Sequence, residues 1–295
     1  MGDLILYQFE LSFHSQLVRT GLAEKHLSYK KKSIQIAQLE QLDPWYMKIN
    51  PKGQVPTLVR GETVVTESED ILKYLDETFP ETAKICPDST SEEGERWSYY
   101  KELGSKFDPE QTLIHVPWYH DVAGSKHPDM KKKKIIAEKV WKAKREELPI
   151  KCDKLAKDYP DLADAYVKRR EQVADLPEEP DVEKLKLFMA VMEDVLTKID
   201  HQLRPKEDDA EEAKSKENEK WLCGDNYTIA DIYWTTALHW LEDAGLADRF
   251  WGEGKRAHLA AYYDRSKRRE SFRKGMPSAT TLMFQGIKNR WCTLL

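Results

Sequence analysis

Strand signals stop after residue 66. The first 80 residues alternate apolar, strand-like runs with helical periodicity, and beyond Pro80 only the helical spacing continues. Such a switch calls for a layered α/β unit followed by an all-helical one, because sheets and bundles bury their apolar faces differently. Leu4 to Phe9 reads as a strand. Leu17, Val18, Leu22 and Ala23 share a helix face, Leu27 to Lys31 reads as a second strand, and Leu39 to Met47 as a short helix. Pro56 to Arg60 and Thr63 to Thr66 flank Gly61-Glu62 and predict a β-hairpin. Ile71, Leu72, Tyr74 and Leu75 mark an amphipathic helix.

Residues 81–90, with Pro87-Asp88-Ser89-Thr90, read as a linker into an α-helical domain over 91–295. Trp97, Tyr100, Leu103 and Phe107 form one helix face there. Phe188, Val191, Met192, Val195, Leu196 and Ile199 form another. Between them, about 121–183 is lysine-rich and interrupted by prolines, with four consecutive lysines at 131–134. That run reads as a solvated helix start, since no aromatic platform accompanies it, and nucleic acid is not an expected partner. Residues 204–219 read as a charged loop.

The 295 residues are 40% hydrophobic and 34% charged, a globular balance. No apolar run approaches the ~18 residues that span a bilayer, and the N-terminus has no signal-peptide pattern. Cys86, Cys152, Cys223 and Cys292 are scattered, which predicts neither a disulfide frame nor a metal site. The charge is uneven. Net −5 overall divides into +8 over residues 255–295 and −13 before them.

Three stretches of the first domain carry chemistry. Asn50 to Leu58 holds a Gly-containing loop and then Val55-Pro56, a proline well placed to be cis. A cis bond there exposes the Val55 backbone to an incoming peptide. Thr66-Glu67-Ser68 opens a helix whose free N–H groups suit a carboxylate, while Glu67 suits an ammonium. Ser12 enters the first helix within FELSFHSQLVR, residues 9–19. Together they describe a cleft for a small peptide with its middle near Ser12.

The order β-α-β-α-β-β-α is thioredoxin-like. The segments GQVPTLV, TESEDILKYL and SFHSQLVR resemble the glutathione-binding domain of the glutathione transferase superfamily. WLCGDNYTIADIYW resembles that superfamily's helical-domain motif, with Thr228 and Asp231 as a structural capping box. The resemblance implies a glutathione transferase fold and covers nearly the whole chain. It implies that Val55, followed by Pro56, binds the central cysteine backbone of glutathione. Glu67 and Ser68 would hold its γ-glutamyl end, and Gln54, with Lys52 or Lys48, its polar ends. Ser12 stands where related enzymes carry Ser, Cys or Tyr, and a hydroxyl there stabilises the glutathione thiolate. Tyr7 is the alternative donor, and His14 reads as a surface residue of the first turn. The expected co-substrates are glutathione and a small electrophile, with no metal, and a homodimer is the family's habit.

The chain is longer than an ordinary transferase, and the surplus makes 121–183 a helical insert. This layout is similar to the ganglioside-induced differentiation-associated protein family, and more distantly to a plant class named for tetrachlorohydroquinone dehalogenase. The animal family implies the mitochondrial outer membrane, a C-terminal hydrophobic anchor and weak catalysis. This sequence departs from it in lacking that anchor. The long insert, able to cover the electrophile pocket or offer a partner surface, makes a membrane-associated scaffold or redox-sensing adaptor with little catalysis the alternative to a cytoplasmic enzyme. The ending Cys292-Thr293-Leu294-Leu295 reads as a geranylgeranylation signal, with the basic tail as a second attraction to a cytosolic membrane face.

Overall fold

The computed structural model describes residues 2–205 and 220–277. Four strands build one sheet in the order β2-β1-β3-β4. They are β1 (Leu4–Gln8), β2 (Lys30–Ser33), β3 (Thr57–Arg60) and β4 (Thr63–Thr66). β2 runs parallel to β1, while β3 is antiparallel to both β1 and β4. Leu4 and Leu6 alternate inward along β1, and their buried face lies against α1 (Phe13–Glu24) and α3 (Ser68–Thr78). The approach of α1 to α3 requires Gly21. A Cβ there would lie 2.2 Å from the Leu72 side chain.

The hairpin falls where the sequence placed it, with Gly61 at φ +60 in the turn. Two other expectations are corrected. The second strand is Lys30–Ser33, not Leu27 to Lys31. All four of its residues are exposed, and its three lysines suit an unpaired sheet edge. Leu27 and Tyr29 instead pack on the core just before it. The helix expected over Leu39 to Met47 is instead a 3-10 turn, Glu40–Leu42, and a short α2 (Pro44–Met47), because Leu39 at φ +56 precedes the turn and Asp43, extended ahead of Pro44, parts it from α2.

Residues 81–90 are held at several points. Asp76 accepts from the backbone N–H groups of Ile85 and Cys86, and Ile85 C=O accepts from Ile229 N–H at 2.8 Å. Ser91 then caps α4 (Glu92–Gly104), receiving Gly94 N–H at 3.1 Å. The rest is helical, with the helices Val182–Gln202, Ile229–Asp243 and Ala257–Lys267 at the centre of the larger core. Thr228 and Asp231 form the expected capping box. Asp231 is fully buried and also accepts from Leu222 N–H and the Tyr262 hydroxyl.

The stretch read as an insert forms helices Met130–Lys142, Leu148–Asp158 and Ala163–Glu171. It reaches back to the first domain. Leu148, Cys152, Leu162, Tyr166 and Val173 bury Leu42, just before α2, and Met47, its last residue. Cys292 and the far end of the basic tail lie outside the described residues.

Candidate functional site

The loop between α2 and β3 is held by a buried polar knot. The Tyr46 hydroxyl donates to Gln54 C=O at 2.6 Å and lies 2.9 Å from Thr57 Oγ1. Asn50 Nδ2 donates to the same two acceptors, each at 2.9 Å. Burial pushes the Tyr46 phenol up to about 12, so it stays a donor at any working pH. At Gly53, φ +57, a Cβ would press on Met47 Sδ at 3.0 Å and on the Gln41 carbonyl at 3.2 Å. The loop ends in a cis Val55-Pro56 bond. Thr57 pairs with Thr66 and with Tyr7, so this loop end lies beside the start of α3 and the end of β1.

Glu67 enters α3 at φ +62, a left-handed conformation costly for a side-chain-bearing residue. Its carboxylate is exposed and pairs with Lys52 Nζ at 2.6 Å. Exposed pairs of this kind are weak and exchange readily for a ligand's charges. Ser68 follows at the first helical position, among N–H groups that no earlier turn satisfies.

Ser12 is the N-cap of α1, and its Oγ accepts from Ser15 N–H at 3.3 Å. Accepting that bond leaves its own O–H proton free to donate. Buried groups beneath fix this turn. Arg19 donates to Phe9 and Glu10 carbonyls, to Gln8, and to Gly275 C=O at 2.9 Å. Trp240 Nε1 donates to Gln16 Oε1 at 2.7 Å, and Gln16 in turn to Glu10 C=O. The second half of the chain thus grips the turn carrying Ser12.

His14 Nδ1 lies 3.3 Å from Ser68 Oγ, which brings the N-termini of α1 and α3 together. Both side chains line a cavity of about 420 Å³ between the two halves of the chain, with Glu67, Trp97, Lys101 and Tyr233. Tyr7 sits elsewhere, its ring against those of Trp45 and Tyr46 at 6.0 and 5.8 Å. Gln54 and Lys52 are exposed on the loop, and Lys48 faces Asp161 of the inserted helices at 3.7 Å. Cys86, Cys152 and Cys223 are free thiols, and burial raises all three, Cys152 to about 11 and Cys223 to about 12. They are poor nucleophiles. Among the described residues no group of His, Cys, Asp or Glu is set to hold a metal.

A thioredoxin-like layer, a helical second half and paired helix N-termini beside a peptide-like shelf define a glutathione transferase architecture. The chain belongs to that superfamily. The glutathione S-transferase N-terminal domain matches residues 6–83 and the C-terminal domain residues 165–270. Human ganglioside-induced differentiation-associated protein 1-like 1 is 28% identical over 97% of this chain and 77% of its own length. The tetrachloro-p-hydroquinone reductive dehalogenase of Sphingobium chlorophenolicum is 26% identical over 92% of this chain and 95% of its own. Among solved structures, a beta-etherase from a Sphingobium strain superposes with a TM-score of 0.61 at 19% identity, covering 92% of this chain and 98% of that one. This last likeness shows the fold.

The sequence missed three things. His14 pairs with Ser68. Arg19 anchors the Ser12 turn. The inserted helices press on the α2 loop. Only the first has a local signal, a His two residues into a helix that opens on a serine.

Proposed function

We propose that this protein binds glutathione across Ser12, Val55 and Glu67-Ser68 and conjugates it to, or uses it to reduce, small electrophiles. The observation that carries the reading is the meeting of the α1 and α3 N-termini through His14 and Ser68. It sets two positive helix ends on one cleft, one for a carboxylate and one for a thiolate. Val55 N–H and C=O offer a strand-like edge to the central residue of the tripeptide. The γ-glutamyl carboxylate goes to Ser68 and its ammonium to Glu67, in exchange for Lys52.

Ser12 donates its free proton to the sulfur, and the α1 dipole adds to that stabilisation, lowering a thiol pKa of about 8.5 toward neutrality. The thiol proton leaves to solvent. The thiolate then forms the new S–C bond while the electrophile's leaving group departs with its electron pair. Ser12 is not itself a nucleophile.

Calorimetry with glutathione tests the reading. No heat of binding at millimolar ligand would reject it. A homodimer belongs to the same proposal and is read by sedimentation. So does a tail held at a cytosolic membrane face by a prenylated Cys292, for which an unmodified intact mass from eukaryotic cells is the negative result.

A further inference from the structure

His14 is surrounded by acids and by bases that already have partners. Glu67, Glu69 and Asp70 face the cleft from α3, Lys101 from α4 and Tyr233 from helix Ile229–Asp243. Lys52 pairs with Glu67 at 2.6 Å, while Lys73 and Lys101 each pair with Glu69 at 2.8 Å. The imidazole packs edge-on against Phe13 at 5.3 Å and opens to solvent through the cleft. Desolvation by its neighbours holds its pKa below the ordinary histidine value, against the pull of Glu67. The ring is therefore neutral at pH 7.

On the reading of this cleft as a glutathione site, a γ-glutamyl carboxylate lies against Ser68. A hydroxyl has one proton to give. When Ser68 turns that proton to the carboxylate, its oxygen needs a donor, and His14 Nδ1 at 3.3 Å is the group in place. An anion beside a neutral imidazole favours the imidazolium. We propose that His14 is a positioning residue acting through Ser68, and that it takes a proton from solvent as a γ-glutamyl carboxylate binds. With Nδ1–H donated to Ser68, the added proton sits on Nε2. The site then grips acidic γ-glutamyl ligands more tightly as pH falls below 7.

Glutathione itself confounds the measurement, because a thiol that ionises on binding releases a proton. S-methylglutathione removes that reaction and keeps the γ-glutamyl end. Between pH 5.5 and 7, ordinary carboxylates near 4 and amines near 8 change little. Calorimetry of the full chain in two buffers of different ionisation enthalpy reads the protons taken up. For wild type the expected result is net uptake, with affinity rising toward tenfold per pH unit where a whole proton is bound. His14→Gln should bind with no uptake and a flat profile, and Ser68→Ala should bind more weakly and also lose the uptake. Wild-type binding without uptake, or the same uptake in His14→Gln at an unchanged melting temperature, overturns the inference and leaves the glutathione reading intact. If neither glutathione nor S-methylglutathione binds wild type, the glutathione reading fails and takes this inference with it.

Discussion

Tyr166 donates a hydrogen bond to the carbonyl of Leu42 at 2.9 Å, across 124 residues of chain. Lys151, on the preceding helix, reaches Leu39 C=O and Asp43 Oδ1, each at 2.8 Å. The inserted helices thus brace the segment that leads into α2 and, through Met47 and Gly53, the shelf at Val55. A loop that binds a peptide must be held in shape before the peptide arrives, or binding pays for the ordering.

Tyr166→Phe is the mildest way to loosen that brace. It leaves a buried carbonyl without its donor, which costs about 1–2 kcal/mol of stability by urea melting. The expected kinetic signature is a raised KM for glutathione with kcat little changed, since Tyr166 touches no reacting atom. A lowered kcat at unchanged KM would contradict the bracing role.

Ser12→Ala removes a helix cap and, on the proposed function, a thiolate donor at once. The cap, a single 3.3 Å bond from Ser15 N–H, is worth about 0.5–1 kcal/mol of stability. The donor is worth more to rate, on the order of 10²-fold in kcat, in keeping with other preorganised oxyanion donors. The pH–rate profile is the discriminating measurement. Its rising limb should move up toward the ordinary thiol value near 8.5. An unchanged profile would pass the role to another group, with Tyr7 the next to mutate.

Glu67 holds a left-handed backbone that glycine adopts freely. Glu67→Gly should therefore stabilise the chain by about 1 kcal/mol while weakening glutathione binding, because the carboxylate is lost. Glu67→Gln loses the charge but keeps the strain, so it should weaken binding without gaining stability. Equal melting temperatures for the two variants would show that the strain is relieved some other way.

The sheet and its hairpin were legible because β3 and β4 are short, rich in β-branched residues and separated by Gly61-Glu62, all local information. The second strand was misplaced because Lys30–Ser33 is a polar edge whose pairing with β1 comes from the βαβ crossover, not from its own residues. The break at Asp43 was legible but overlooked, since Pro44 pushes the residue before it into extended backbone; the left-handed turn at Leu39 has no such signal. Ser12 and Glu67-Ser68 were readable as helix entrances, and Val55 as the end of a loop. The bracing of their loop was not, because Tyr166 and Leu42 are far apart in sequence and meet only in the folded chain.

Asp231 predicts an unusual pH dependence. Full burial raises its carboxyl to about 6, even though Leu222 N–H, Thr228 N–H, the Thr228 hydroxyl and the Tyr262 hydroxyl all donate to it. In the unfolded chain the same group titrates near 3.9. The fold therefore favours the protonated form. Its contribution is fully present below about pH 4, declines as pH rises toward 6, and is flat beyond. Glu10 and Glu69 are held below the ordinary range, each despite a larger opposing effect of burial, by bonds to Lys31 and to Lys101 and Lys73. Their contribution runs the other way and is lost in acid. Asp231→Asn cannot titrate, and its amide meets donors where the carboxylate accepted, so it should cost a few kcal/mol at pH 7. The gap between wild type and variant should then widen as pH falls, by up to about 3 kcal/mol on reaching pH 4. Urea melts of both proteins from pH 4.5 to 7.5 read this directly, the effects of Glu10 and Glu69 cancelling between them. A gap that stays constant, or narrows in acid, would mean that the four donors outweigh burial and that Asp231 stays ionised throughout.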